Sequence, residues 1–238
     1  MLPKIDVPSY DIVLPVSKTK VTFRPFLVKE QKILLMAVES NESDFIVNNI
    51  KKVLQNCAIS ELNIDNLPLV DIEYYFLNLR AKSVGEEIET RYKCENLVED
   101  TPCNNIMDVK YNVLEVDIQV PESDNIIKLA EDIGIKMKYP SFAVLDKLKS
   151  QEESSEIAFE LIVECIEYVY DKDNLYYTNE IPREELDAFL DQMTTEQFQQ
   201  IQKFMEELPK LQKTIEVKCS KCGFEHKIVS KELTDFFS

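Results

Sequence analysis

Two cysteines separated by two residues, Cys219-Ser220-Lys221-Cys222, followed at once by Gly223, constrain this chain more than any other feature it carries. A tight turn between such thiols points both sulfurs the same way, and a glycine relieves the backbone where that turn ends. A closed zinc site needs four ligands, and Cys94 and Cys103 in YKCENLVEDTPC offer a second pair. Eight residues separate them, more than the usual two to four, so this half reads as a knuckle widened by a loop. The predicted centre is therefore Cys94, Cys103, Cys219 and Cys222 around a structural zinc ion, tying a middle β segment to a C-terminal hairpin. Four thiolates leave no open position for water, so a metal held this way is structural rather than catalytic. His226, the one histidine, is read as an exposed strand residue, with replacement of one cysteine as a ligand the alternative. Cys57 and Cys165 fall on apolar helical faces and read as small buried hydrophobes.

Charge and composition narrow the function classes. The chain has 238 residues, 44 acidic against 27 basic side chains, and a formal net charge of -17. Such a chain repels phosphate backbones and anionic lipid, so nucleic-acid and membrane partners are not expected. No apolar run approaches the ~20 residues that span a bilayer, and the opening MLPKIDVPSY lacks an apolar signal core. A cytoplasmic location is expected, where cysteines serve as thiols or metal ligands. Only three glycines occur, and none builds a phosphate-cradling loop. With one histidine beside the cysteine knuckle, Ser-His-Asp or Cys-His chemistry has no natural home, and no enzyme is expected. The remote alternative is a thiol redox enzyme using Cys219 and Cys222. Redox pairs of that spacing sit at a helix N-terminus, whereas here strands are predicted on both sides.

Alternating residues at Tyr10–Leu14 and Lys20–Phe23, joined by PVSKT, predict a hairpin. Helices are predicted over Val28–Glu39, over Ser43–Ala58 with Ser43 as cap, and over Leu69–Ala81. The block Ile33-Leu34-Leu35-Met36-Ala37-Val38 is expected to be mostly core. Strands follow through EEIETRYKC, NIMDVKYNV, VLEVDIQV and GIKMKYP. Helix then returns over Phe142–Lys149, over one long segment Ser154–Tyr170, over IPREELDAFLDQM, and from Thr194 or Thr195 onward. KTIEVKCSKCGFEHKIVS closes the chain as strand, tight turn and strand.

The predicted class is α+β, with helical blocks packed around a small central β region carrying a zinc-ribbon-like four-cysteine knuckle. The expected parts are 1–85, the hairpin plus helices; 86–140 with 211–230, the β portion and metal site; 141–210, helical; and 231–238, a tail. All four could form one compact unit.

The segments LPKIDVPSY, DIVLPVS and above all FRPFLVKEQKILLMA, with IETRYKC and the terminal KCSKCG, resemble the baseplate proteins of T4-type contractile phages. The resemblance covers residues 1–115 and the C-terminal hairpin; 141–210 carries no matching motif. It implies tail morphogenesis: a baseplate hub assembly protein acting through protein–protein contacts in a chaperone-like way, or a structural hub subunit retained in the virion. It implies other baseplate hub or tail proteins as partners, and the host cytoplasm during assembly or the virion baseplate as location. Candidate contact residues are the Arg24-Pro25-Phe26 corner and the tail residues Leu233, Phe236 and Phe237, with an Arg24–Glu30 ion pair as the alternative use of that arginine.

Overall fold

A segment that alternates apolar and polar side chains over four residues can bury one face as a strand, and the chain begins this way. In the computed structural model β1 (Tyr10–Val13) and β2 (Lys20–Phe23) pair antiparallel, Tyr10 opposite Phe23. The structure describes all residues except 1, 2, 4, 41, 123, 149–153 and 231–238, so the predicted tail contacts Leu233, Phe236 and Phe237 lie outside the described residues. Three helices follow: α1 (Val28–Ser40), α2 (Ser43–Cys57) and α3 (Leu69–Val84). Strands β3 (Glu87–Lys93), β4 (Leu97–Val98), β5 (Thr101–Pro102), β6 (Ile106–Asn112), β7 (Asp117–Gln119), β8 (Ile126–Lys128) and β9 (Gly134–Met137) come next. Then come α4 (Phe142–Leu148), α5 (Ser154–Glu164), β10 (Ile166–Tyr170), β11 (Leu175–Tyr177), α6 (Arg183–Asp191), α7 (Thr195–Glu206), β12 (Lys210–Lys218) and β13 (Glu225–Ser230). The class is α+β, with several small sheets rather than one large one.

Two compact units divide the described residues: one within 3–64, 70–119 and 210–230, the other within 65–69 and 120–209. In the first, Phe23 and Tyr75 meet edge to face with ring centroids 5.4 Å apart, and the Tyr75 hydroxyl donates to the Leu54 carbonyl at 3.1 Å. Asp71 is fully buried, yet both its oxygens are satisfied: the N–H groups of Val16 and Ser17, in the hairpin turn, donate to them at 2.8 Å each. A buried carboxylate without such donors would be costly, so this pair of bonds fixes the hairpin to α3. The β part of this unit pairs β3 with β6 along seven registered positions and orders the other sheet β13-β12-β7. Between them Met107 and Val109 are buried against Tyr92, Ile215, Val217 and Ile228.

The second unit orders its sheet β11-β10-β9-β8 and packs it with α4 to α7 around Ile135, Met137, Cys165, Ile166 and Ile201. Helix α7 begins with a reciprocal capping box between Thr194 and Gln197. No helix among the described residues is long and apolar enough to cross a membrane.

Three local expectations are corrected. The helix predicted to run from Ser154 to Tyr170 stops at Glu164, and Ile166–Tyr170 is a strand. The reason is the segment behind it: Asp171 accepts the N–H groups of Asp173 and Asn174 at 2.8 Å each, a turn that sends Leu175–Tyr177 back along Ile166–Tyr170. The cap of α2 is Glu42, not Ser43. The apolar block of α1 is only partly core: Leu34 and Ala37 are buried, while Leu35 and Met36 stand exposed.

Candidate metal centre

Each cysteine pair sits where a strand must reverse. Between β12 and β13 the Cys219 N–H donates to the Phe224 carbonyl at 2.8 Å, and the Gly223 N–H donates back to the Cys219 carbonyl at 2.9 Å. Gly223 takes φ 75°, a left-handed value at which a side chain is strained. Between β3 and β6 the same ring recurs: the Cys94 N–H donates to the Asn105 carbonyl at 2.8 Å, and the Asn104 N–H donates to the Cys94 carbonyl at 3.0 Å. Asn104 holds the place of Gly223 and takes φ 53°, which asparagine tolerates better than other side chains.

The long spacing between Cys94 and Cys103 now has a physical account. The Cys103 N–H donates to the Asn96 carbonyl at 2.8 Å, closing a miniature hairpin of β4 and β5. Residues 97–102 are an excursion from a knuckle that otherwise runs Cys94-Glu95-Asn96 and on to Cys103. Without them its spacing equals that of Cys219-Ser220-Lys221-Cys222.

The two knuckles bring four sulfurs together. Cys94 and Cys222 lie 3.6 Å apart, Cys103 and Cys219 3.8 Å apart, and all four Sγ atoms fall within 4.8 Å of one another. Thiolates at ~2.3 Å from a tetrahedral metal would stand about 3.8 Å from each other. A disulfide needs about 2.0 Å, and all four thiols are free. Cys94, Cys103 and Cys219 are buried and Cys222 is half-buried. The donor set and its spacing fit a soft divalent ion, zinc first, with iron also compatible with four thiolates.

Three of the sulfurs face a further nitrogen. Asn105 Nδ2 approaches Cys219 Sγ at 3.4 Å, Asn96 Nδ2 approaches Cys222 Sγ at 3.7 Å, and His226 Nε2 lies 3.1 Å from Cys94 Sγ. Backbone N–H groups of Cys222 and Lys221, with the Asn105 amide, pull the Cys219 thiol down to about 6 against the opposing effect of burial. Burial pushes Cys94 up to about 12. A divalent ion with four thiolates carries net charge of about -2, and N–H donors to sulfur offset part of it.

His226 is therefore a correction. Far from exposed, it is 8% accessible, its ring held edge-on between Tyr92 at 5.5 Å and Phe224 at 4.8 Å. Alternation in β13 could have found it, since His226 shares a face with Ile228 while Glu225, Lys227 and Val229 point outward. Asn96, Asn104 and Asn105 gave no comparable signal, because their roles follow from the hairpin that the spacing hides. Cys57 and Cys165 lie elsewhere and are buried, their thiols raised by burial to about 11 and about 12.

At the Arg24 corner, Nη2 meets the fully buried Glu30 carboxylate at 3.0 Å and the Asn56 carbonyl at 3.0 Å. The Phe26 N–H donates to Ser83 Oγ at 3.0 Å, and Pro25 and Phe26 are half-buried.

A family model described as T4 bacteriophage base plate protein matches residues 7–238. The baseplate hub assembly protein gp26 of Enterobacteria phage T4 is 25% identical over 229 residues, covering 96% of this chain and 97% of that protein. No solved structure matches.

Proposed function

The chain belongs to the T4 bacteriophage base plate protein family, and on that premise we propose that it acts in baseplate hub assembly through protein–protein contacts, in a chaperone-like way. The observation that carries this reading is the match to a hub assembly protein over most of both chains, 96% of this one and 97% of the other. The cysteine centre supports it from the physical side. Four thiolates saturate a tetrahedral ion, so a zinc held there braces two β-knuckles and leaves no site for bound water to react. Cys219 and Cys222 lie in a turn between strands and face two further sulfurs, a poor setting for a redox pair.

In this account the partners are other baseplate hub or tail proteins of the same phage, met in the host cytoplasm. The Arg24-Pro25-Phe26 corner and Leu233, Phe236 and Phe237 stay candidates for the contact surface. The guanidinium of Arg24 is engaged within the chain, which leaves Pro25 and Phe26 as the better part of that corner.

The test compares infected cells with finished particles. Affinity purification from infected cells should bring down baseplate proteins, while mass spectrometry of purified virions should find this chain absent or far below the copy number of hub subunits. Retention at the copy number of the hub would make it a building block instead.

A further inference from the structure

The two knuckles do the same job with different amounts of chain. The Cys219–Cys222 knuckle closes with two intervening residues; the Cys94–Cys103 knuckle closes with the same backbone ring and then adds six residues that the ring does not use. What those six present is unusual for a small acidic surface. Leu97 is 61% and Val98 46% exposed, so neither contributes much to its own core. The tip residues Glu99 and Asp100 both take left-handed backbone, φ 49° and 63°. A two-residue turn of that kind favours Asn-Gly, and an acidic pair there is not what local folding selects. Among the described residues Glu99, Asp100 and the neighbouring Glu95 make no ion pair, whereas Lys221 donates to the Cys103 carbonyl at 3.0 Å. The base of the excursion is pinned at both ends to the cysteine cluster, so it is held in one orientation before any partner arrives, which lowers the entropy lost on docking.

We propose that the β4–β5 hairpin, residues 97–102, is a docking finger that seats in an apolar groove rimmed by lysine or arginine on another baseplate protein. This rests on the assembly reading above. Leu97 and Val98 supply the apolar contact, and Glu99 and Asp100 select a basic rim. Charge complementarity at a rim acts mainly on association rate and on rejection of wrong partners.

The experiment uses the full chain, tagged and expressed from the phage genome. One variant deletes 97–102, joining Asn96 to Cys103 and giving a two-residue knuckle; two others are Leu97→Ser with Val98→Ser, and Glu99→Lys with Asp100→Lys. Metal per chain, thermal midpoint and recovery of baseplate proteins from infected cells are measured for each. The expected result is unchanged metal and midpoint, with recovery of one baseplate protein reduced at least tenfold. A photo-crosslinking amino acid at position 98 should label that same protein beside lysine or arginine. Undiminished recovery in the serine and lysine variants, or crosslinks to a surface without basic side chains, would overturn the proposal. Should the deletion variant lose metal, the two point-variant pairs decide. Failure of the unaltered chain to bring down any baseplate protein would sink the assembly reading, and this proposal with it.

Discussion

His226 Nε2 lies 3.1 Å from Cys94 Sγ, with the imidazole held edge-on between Tyr92 and Phe224. A metal-bound thiolate accepts, so the nitrogen facing it carries the proton and donates. This donor is the counterpart of the asparagine amides that face Cys219 and Cys222. His226→Ala should therefore weaken metal affinity about 10- to 100-fold, as loss of outer-shell donors commonly does. His226→Gln should recover part of it. Competition with a chromophoric chelator measures the affinity, and cobalt substitution reports the sulfur environment through its charge-transfer band. An unchanged affinity and an unchanged band in His226→Ala would remove His226 from the centre.

Metal removal should act on one unit and spare the other. All four cysteines belong to the unit that contains β3, β6, β12 and β13. Chelation should speed hydrogen exchange at the amides of Cys94, Asn104, Cys219 and Gly223, which close the two knuckles. Protection around Ile135, Cys165 and Ile201 in the other unit should be retained. Equal loss of protection in both units would mean that the metal does not act locally.

The Arg24–Glu30 pair should be costly to split. Burial alone would raise the Glu30 carboxyl, but hydrogen bonds from Arg24 and from the Leu27 N–H outweigh it and hold the group below the ordinary carboxylate range. Its stabilisation is thus present above the unfolded-state value and is lost as pH falls through the lowered folded-state value. Arg24→Met leaves the buried Glu30 carboxylate with only the exposed Lys29 ammonium at 3.4 Å and the Leu27 N–H at 2.9 Å, and should cost about 3 kcal/mol by denaturant unfolding; the double variant with Glu30→Gln should cost less than the sum. Acid titration of stability should flatten in Glu30→Gln.

Gly134 is required by close approach rather than by backbone conformation. A Cβ there would stand 2.6 Å from the Ile127 carbonyl oxygen and would collide with the Tyr170 hydroxyl across β8-β9-β10. Gly134→Ala should destabilise by about 1–3 kcal/mol, read from the unfolding midpoint. A midpoint equal to wild type would show that the sheet yields there.

Much of this could be read from residue order, and the failures have causes. The first hairpin, α2 and the start of α7 at Thr195 follow from local alternation, helical periodicity and first-turn chemistry, all short-range signals. The cysteine cluster was legible through Cys219–Cys222, because a two-residue spacing is itself a geometric statement. The equivalence of the other knuckle was not, since it depends on the Cys103-to-Asn96 bond that folds six residues out of the count. The end of α5 is not legible in the sequence because IEYVY continues an apolar pattern that suits helix or strand; the Asp171 turn and the partner strand decide it. The exposure of Leu35 and Met36 is not legible either, because an apolar run says nothing about which face a neighbour covers.

The central claim is that two β-knuckles clasp one ion through Cys94, Cys103, Cys219 and Cys222. Elemental analysis of the folded chain, purified under reducing conditions without chelator, tests it most directly. One zinc per chain is predicted, falling to near zero in Cys222→Ser. Folded wild-type chain with neither zinc nor iron at stoichiometric level would contradict it.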